Sequence, residues 1–229
     1  MSLRLSGGRR LQSPPGDRAR PTSSRVRLAV MNLLAADLPG CRWLDLCCGS
    51  GVMACEALQR GAAEVVGIEQ DRRIAATARA NLEAVRQGLD RACSVVVHAT
   101  EALRWLHDQD QDLPAGEGKR QSFDLIYADP PYASGLYGPL AAAVAAGRWL
   151  HPGGTLVWEC AAQSPPALPA GWICIKQKRY GGTAVLLLQR SAAQNGAAAV
   201  LVPGRNEQPQ QGHGNQTEHD AAEQGFDHG

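Results

Sequence analysis

In the stretch IYADPPYASG, residues 126–135, an apolar run ends in an aspartate, two prolines and an aromatic ring. Pro130 and Pro131 fix φ near about −65° and donate no N–H, so the backbone is stiff and its carbonyls point in set directions. That arrangement suits the exocyclic amino group of a nucleobase. Such a nitrogen is a poor nucleophile, because its lone pair is delocalised into the ring. The Asp129 carboxylate and the Pro130 carbonyl, each accepting one N–H hydrogen bond, would draw it towards a tetrahedral shape. Tyr132 would offer a face for the base to stack on. Positioning of this kind supplies much of a catalytic rate. X-Pro-Pro is also a plain way to end a strand, so the rest of the sequence decides between the readings.

Upstream, LDLCCGSG (residues 44–51) ends another apolar run. Gly49 and Gly51, with Ser50 between them, let the chain turn tightly and approach a ligand, and the following helix offers its N-terminus. The third glycine position of the dinucleotide fingerprint holds Ala54 instead. About twenty residues on, Glu69 ends a second run, where a carboxylate can accept hydrogen bonds from both hydroxyls of a ribose. Together these predict an adenosine lying across the first two strand ends. Asp45 sits in the lead-in to the loop, able to orient it or to bind a cationic or amino group.

These side chains need elements that bring strand ends together. Val26, Val30, Leu33 and Leu34 recur at helical spacing after a Ser23 or Ser24 cap. CRWLDLC, AEVVGIE, CSVVVH, FDLIYA and GTLVWEC read as buried strands, alternating with helices. One helix is closed by Gly61, and another runs over 72–86 with Ile74, Ala78, Leu82 and Val85 on one face. WICIKQK and TAVLLLQ, joined through RYGG, read as a closing hairpin. The pattern predicts an α/β fold: a mainly parallel seven-stranded sheet, helices on both faces and an antiparallel edge strand. Residues 109–122 read as a polar surface loop.

With 229 residues, 44% hydrophobic and 20% charged, the chain fits one domain plus tails. No apolar leader or bilayer-length run is visible, so a soluble cytoplasmic protein is expected. Seven cysteines, an odd number without a C-x-x-C pair, argue against a disulfide framework and a zinc finger. His98, His107 and His151 show no ligand spacing, and no metal is expected. Residues 1–27 carry seven arginines against Asp17, which suggests contact with a polyanion. The expected organisation is a basic arm or hairpin over 1–20, a catalytic domain over 21–190 and a disordered tail over 191–229.

D-P-P-Y together with D-x-x-x-G-x-G resembles the S-adenosylmethionine-dependent methyltransferases that modify exocyclic amino groups. The order of RPTSSRVR, LDLCCGSGVMACEALQRGA, VVGIEQD, DLIYADPPY, LHPGGTLVWE and QKRYGGTAV narrows this. It is similar to that of the RsmD-type 16S ribosomal RNA guanine-N2 methyltransferases, over about residues 3–190. The resemblance implies a Rossmann-like class I fold, S-adenosylmethionine as cofactor and, as partner, 16S rRNA within an assembling or assembled small ribosomal subunit; a monomer is the default expectation. Asp45, Gly49, Ser50 and Gly51 would surround the methionine part, and Glu69 would hold the ribose. Glu101, where the family usually has Asp, would lie by the adenine. Asp129, Pro130, Pro131 and Tyr132 would hold the target guanine. Arg20, Thr22 and Arg25 match the family's arginine-bearing substrate segment; Arg4, Arg9, Arg10 and Arg18 would add phosphate contacts. Cys47-Cys48 stands where the family more often has Phe-Ala, and Tyr132 where it has Phe. Adenine N6 in DNA or RNA, a non-catalytic RNA-binding assembly factor and a nicotinamide oxidoreductase remain as rival readings.

Overall fold

The computed structural model describes residues 3–14, 23–111 and 122–191. Arg18, Arg20, Thr22 and all but the first residue of the expected tail fall outside the described residues. Helix α1 (Ser24–Leu33) begins at Ser23, whose hydroxyl accepts from the Val26 N–H at 3.3 Å. There follow β1 (Arg42–Leu46), α2 (Val52–Gln59), β2 (Glu64–Glu69) and α3 (Arg72–Gln87). Asp71 caps α3, accepting from the N–H groups of Arg73 and Ile74 at 2.8 and 3.2 Å. The remainder is β3 (Ser94–Ala99), α4 (Ala102–Gln111), β4 (Phe123–Ala128), α5 (Tyr137–Ala146), β5 (Leu150–Ala161), β6 (Trp172–Tyr180) and β7 (Thr183–Arg190). No described helix is long and apolar enough to cross a membrane.

The seven strands form one sheet in the order β3-β2-β1-β4-β5-β7-β6. The first five are parallel, and β7 runs antiparallel to both β5 and β6. The chain order reverses between β1 and β4, so their carboxyl ends part there and leave a crevice, as in Rossmann-like sheets. Alternate side chains feed two cores. Trp43, Tyr127 and Val157 face α1, α2 and α3; Leu44, Ile126 and Trp158 face α4 and α5. Each fully buried residue of this size contributes roughly 1.5–3 kcal/mol.

Two expectations change. The predicted loop over 109–122 starts later, because α4 continues to Gln111. CSVVVH, read as a buried strand, has only Val97 buried, and Val96 is 45% exposed. It lies at the end of the sheet, where apolar content alone does not bring cover.

The basic N-terminal stretch is a hairpin. Arg4 bridges Arg10, and the Leu5 N–H donates to the Arg9 carbonyl at 2.9 Å. Leu3, Leu5 and Leu11 are buried in the core shared with α1–α3. Glu56 of α2, itself 1% exposed, pins the turn: one oxygen accepts from the Ser6 N–H and hydroxyl at 2.8 and 2.9 Å. Buried Arg27 of α1 lies 3.7 Å from the same oxygen and donates to the Arg4 carbonyl at 2.6 Å.

Glu56→Ala removes the anion facing Arg27 and the acceptor for two donors at once. We expect a loss of about 3 kcal/mol in urea denaturation, against less than about 1 kcal/mol for Arg104→Ala, whose exposed pair with Asp108 is solvent-screened.

Candidate active site

Strand periodicity builds the site. Asp45, Glu69, Asp129 and Glu159 each stand an even number of residues beyond a neighbour in the α1–α3 core, namely Trp43, Val65, Tyr127 and Val157. Register adds a second alignment: Asp45 pairs with Gly67 on one side and Tyr127 on the other, and Tyr127 pairs with Val157. The carboxylates therefore gather on one face, at one end of the sheet. A cleft of about 910 Å³ opens there, lined among others by Asp45, Gly49, Ser50, Glu69, Glu101, Asp129, Pro130, Pro131 and Tyr132. Nine sequence-predicted residues thus share one cavity. Gly51 lies behind it, with φ of 76°, and a Cβ there would come 3.2 Å from the Ala78 Cβ. Its role is to let α2 leave the loop against α3. At Gly49, φ 53°, a Cβ would meet nothing within 4 Å, so that side of the loop is open to a ligand.

Cys47 also holds a left-handed conformation, φ 67°, which strains a residue with a side chain. The next residue, Cys48, sits over Gly67, where an added Cβ would approach its sulfur to 3.1 Å. Glu69 locks the loop above β2. One of its oxygens accepts from the Gly49 N–H at 3.0 Å and the other from the Asp71 N–H at 2.9 Å. Sequence reading assigned this carboxylate to a ligand; the fold gives it a structural duty as well. Each oxygen keeps a second lone pair for a further donor.

The site is electrically one-sided. Asp45 is 1% exposed, and among the described residues its Oδ2 has no hydrogen-bond partner. Burial, then the charge of Asp129, pushes its pKa well up, against the Ala54 backbone N–H. The Cys47 thiol is pushed up to about 12, first by burial and then by Asp45, Glu69, Asp129 and Glu101. Cys47 is therefore no nucleophile at neutral pH. Six carboxylates around an open cavity (Asp45, Glu69, Asp71, Glu101, Asp129 and Glu159), one with an unsatisfied buried oxygen, match a ligand that carries positive charge and N–H or O–H donors.

Beside them, Asp129 is half-buried at the end of β4, Pro130 is buried, and Tyr132 is 46% exposed. The Tyr137 hydroxyl of α5 donates to the Glu159 carbonyl at 2.6 Å, with a longer approach of 3.4 Å to the Pro130 carbonyl. It ties the rigid segment to β5. Glu159, 4% exposed, accepts a buried hydrogen bond from the Tyr127 hydroxyl, and burial raises its pKa. Sequence reading gave Glu159 no role. Its signal was one acid inside an otherwise apolar TLVWECA.

The arginines separate by environment. Arg4, Arg10 and Arg25 are exposed, and Arg25 follows Ser23, which lines the cleft. Arg9, expected at a phosphate, donates instead to the Ala84 carbonyl at 2.6 Å, near the C-terminal end of α3, where the helix dipole favours a cation. Asn81 of α3 was also missed. Its side chain is 2% exposed; it accepts from the Gln12 N–H at 2.8 Å and donates to the carbonyls of Gln12 and Ser50, both at 3.0 Å. One amide thereby joins the end of the hairpin to the glycine loop. Among the described residues no group of three or more metal-ligating side chains occurs.

Residues 5–189 match the family described as conserved hypothetical protein 95. The ribosomal RNA small subunit methyltransferase D of Escherichia coli K12 is 29% identical over 186 residues, covering 81% of this chain and 86% of that protein. Its namesake from Haemophilus influenzae is 27% identical over 182 residues, covering 80% and 89%. Among solved structures, one named as a methyltransferase of Escherichia coli superposes with a TM-score of 0.66 at 30% identity, over 84% of this chain and 99% of that one. A hypothetical protein of Thermus thermophilus gives 0.62 at 27% identity, over 81% and 98%.

The raised Asp45 carboxyl binds a proton more tightly folded than unfolded. Its contribution therefore falls as pH rises above the unfolded value of about 4 and towards the folded one. Asp45→Asn removes this, so the variant's melting temperature should gain on wild type as pH increases from 4 to 8. A difference independent of pH would contradict the assignment.

Proposed function

The chain belongs to the conserved hypothetical protein 95 family and is an RsmD-type class I methyltransferase; from that premise we propose that it methylates the exocyclic N2 of a guanine in 16S rRNA, using S-adenosylmethionine. The observation that carries the reading is the join of two half-sites in one cleft: the acid-lined glycine loop of β1 and β2, and Asp129-Pro130-Pro131-Tyr132 at the end of β4. The names borne by the relatives over four-fifths of the chain support ribosomal RNA as substrate. Guanine N2 rests on the ordered family motifs.

The cofactor fits the residues present. Asp45 Oδ2 is a buried acceptor without a donor, and the space beside Gly49 is open. When bound, S-adenosylmethionine supplies a methyl group already activated by a sulfonium centre. Asp45, Gly49 and Ser50 would hold its methionine part, Glu69 its ribose hydroxyls and Glu101 its adenine amino group; Gly51 shapes the loop from behind. The positive charge of the ligand would also relieve the repulsion among the carboxylates, which stabilises the complex over the free protein.

On the substrate side, Asp129 and the Pro130 carbonyl accept from the two N–H bonds of the guanine amino group and present its lone pair. Tyr132 stacks on the base, displaced from its RNA stack. Tyr137, by tying Pro130 to β5, keeps that carbonyl in place. Asp129 also offsets positive charge developing on nitrogen.

Asp129→Ala is expected to bind S-adenosylmethionine as wild type does, while single-turnover methyl transfer falls at least about a hundredfold. A near-normal rate would refute the role of Asp129. The function itself is tested with methyl-labelled S-adenosylmethionine and unmodified small subunits, followed by RNA digestion and mass spectrometry. Label in N2-methylguanosine is the expected result; label in N6-methyladenosine would keep the chemistry and overturn the base.

A further inference from the structure

β6 is the edge strand opposite β3, and every side chain from Ile173 to Arg179 is exposed. Lys176, Lys178 and Arg179 bring three positive charges within four residues, while β6 and β7 contain no acid. None of the three forms an ion pair among the described residues.

Register assigns them to faces. Lys176 pairs with Leu187 and Lys178 with Val185, and both partners pack in the core under α1–α3. Directly paired side chains rise on the same face, so the two lysines stand on the face that carries the carboxylates of the cleft and the N-terminal hairpin. Tyr180, next in that row, lines the cleft together with Thr183 and Tyr132. Arg179 pairs with Ala184, which packs in the opposite core, and therefore projects from the other face. Ser23 also lines the cleft, and exposed Arg25 lies two residues beyond it.

We propose that Lys176 and Lys178 form a second phosphate-binding element, over which the RNA backbone runs as its target base enters the cleft beside Tyr132. The inference rests on the RNA reading above. Two residues along a strand set the lysine Cα atoms about 7 Å apart, and each ammonium group can meet a phosphate oxygen without fixed geometry. The same charges would also deter edge-to-edge pairing with another sheet. Edge protection is indifferent to face, whereas a backbone entering this cleft meets only the lysine face.

The test is steady-state methylation of small-subunit RNA by the full chain across a salt series. Lys176→Ala with Lys178→Ala should raise KM about tenfold near physiological salt, leave kcat within about twofold, and flatten the slope of log(kcat/KM) against log salt by about 1.4. Arg179→Ala should change KM less than about twofold, and Lys176→Arg with Lys178→Arg should restore it. S-adenosylmethionine affinity and melting temperature should stay at wild-type values throughout. An unchanged KM and slope in the double alanine variant would overturn the inference, as would an Arg179→Ala effect as large per charge removed as that of the double alanine variant. If wild-type protein methylates no small-subunit RNA, the substrate reading falls and takes this inference with it; wild-type turnover with an unaffected lysine variant overturns this inference alone.

Discussion

Like charges crowded at one end of a sheet are the constraint to which the remaining structure answers. Asp45, Glu69, Glu101 and Asp129 line one cleft, and Asp45 is buried with an oxygen that no described group satisfies. Nothing local favours that arrangement. It persists because β2, β1 and β4 lie side by side in a sheet with packed cores on both faces, and strand periodicity sends Asp45, Glu69 and Asp129 to one of those faces. The burial of Trp43, Tyr127 and their neighbours offsets the repulsion. The result is a site whose strain a positively charged ligand would relieve.

The same logic explains the reinforcement around the glycine loop. A loop bearing three left-handed residues, Cys47, Gly49 and Gly51, has little local preference for its shape. It is held from three sides: Glu69 grips Gly49, Asn81 grips Ser50, and Ala78 closes on Gly51. Two of these supports come from α3, so the regular helix templates the irregular segment. On the other half of the cleft, Tyr137 performs a comparable service by linking Pro130 to β5.

Legibility followed how narrow each residue's uses are. D-P-P-Y, the glycine loop and Glu69 could be read because few other arrangements employ those types in that order, and the structure gathers them in one cavity. The helices were visible from their period, and the strands as short continuous apolar runs. What escaped depended on partners distant in sequence. Glu159 acquires meaning only when Tyr127, thirty-two residues earlier, meets it across the β4–β5 pair. Asn81 was one polar residue in an amphipathic helix until Gln12 and Ser50 converged on it. Charge counting could not separate Arg9, spent on a helix end, from Arg10, which faces solvent. Hydrophobicity could not tell an end strand from a central one, because strand order lies beyond any local window.

The docking of the N-terminal hairpin has a consequence for the order in which the chain can become stable. Its turn is satisfied by Glu56, fifty residues later, and its far end by Asn81, sixty-nine residues later. At about 5–20 residues per second of synthesis, Gln12 waits roughly 3–14 s before the amide that receives it has even been made. The hairpin is thus made well before the groups that lock it. Until then Leu3, Leu5 and Leu11 remain uncovered on the nascent chain, and the arginines interleaved with them supply the charge that keeps such a segment from self-association.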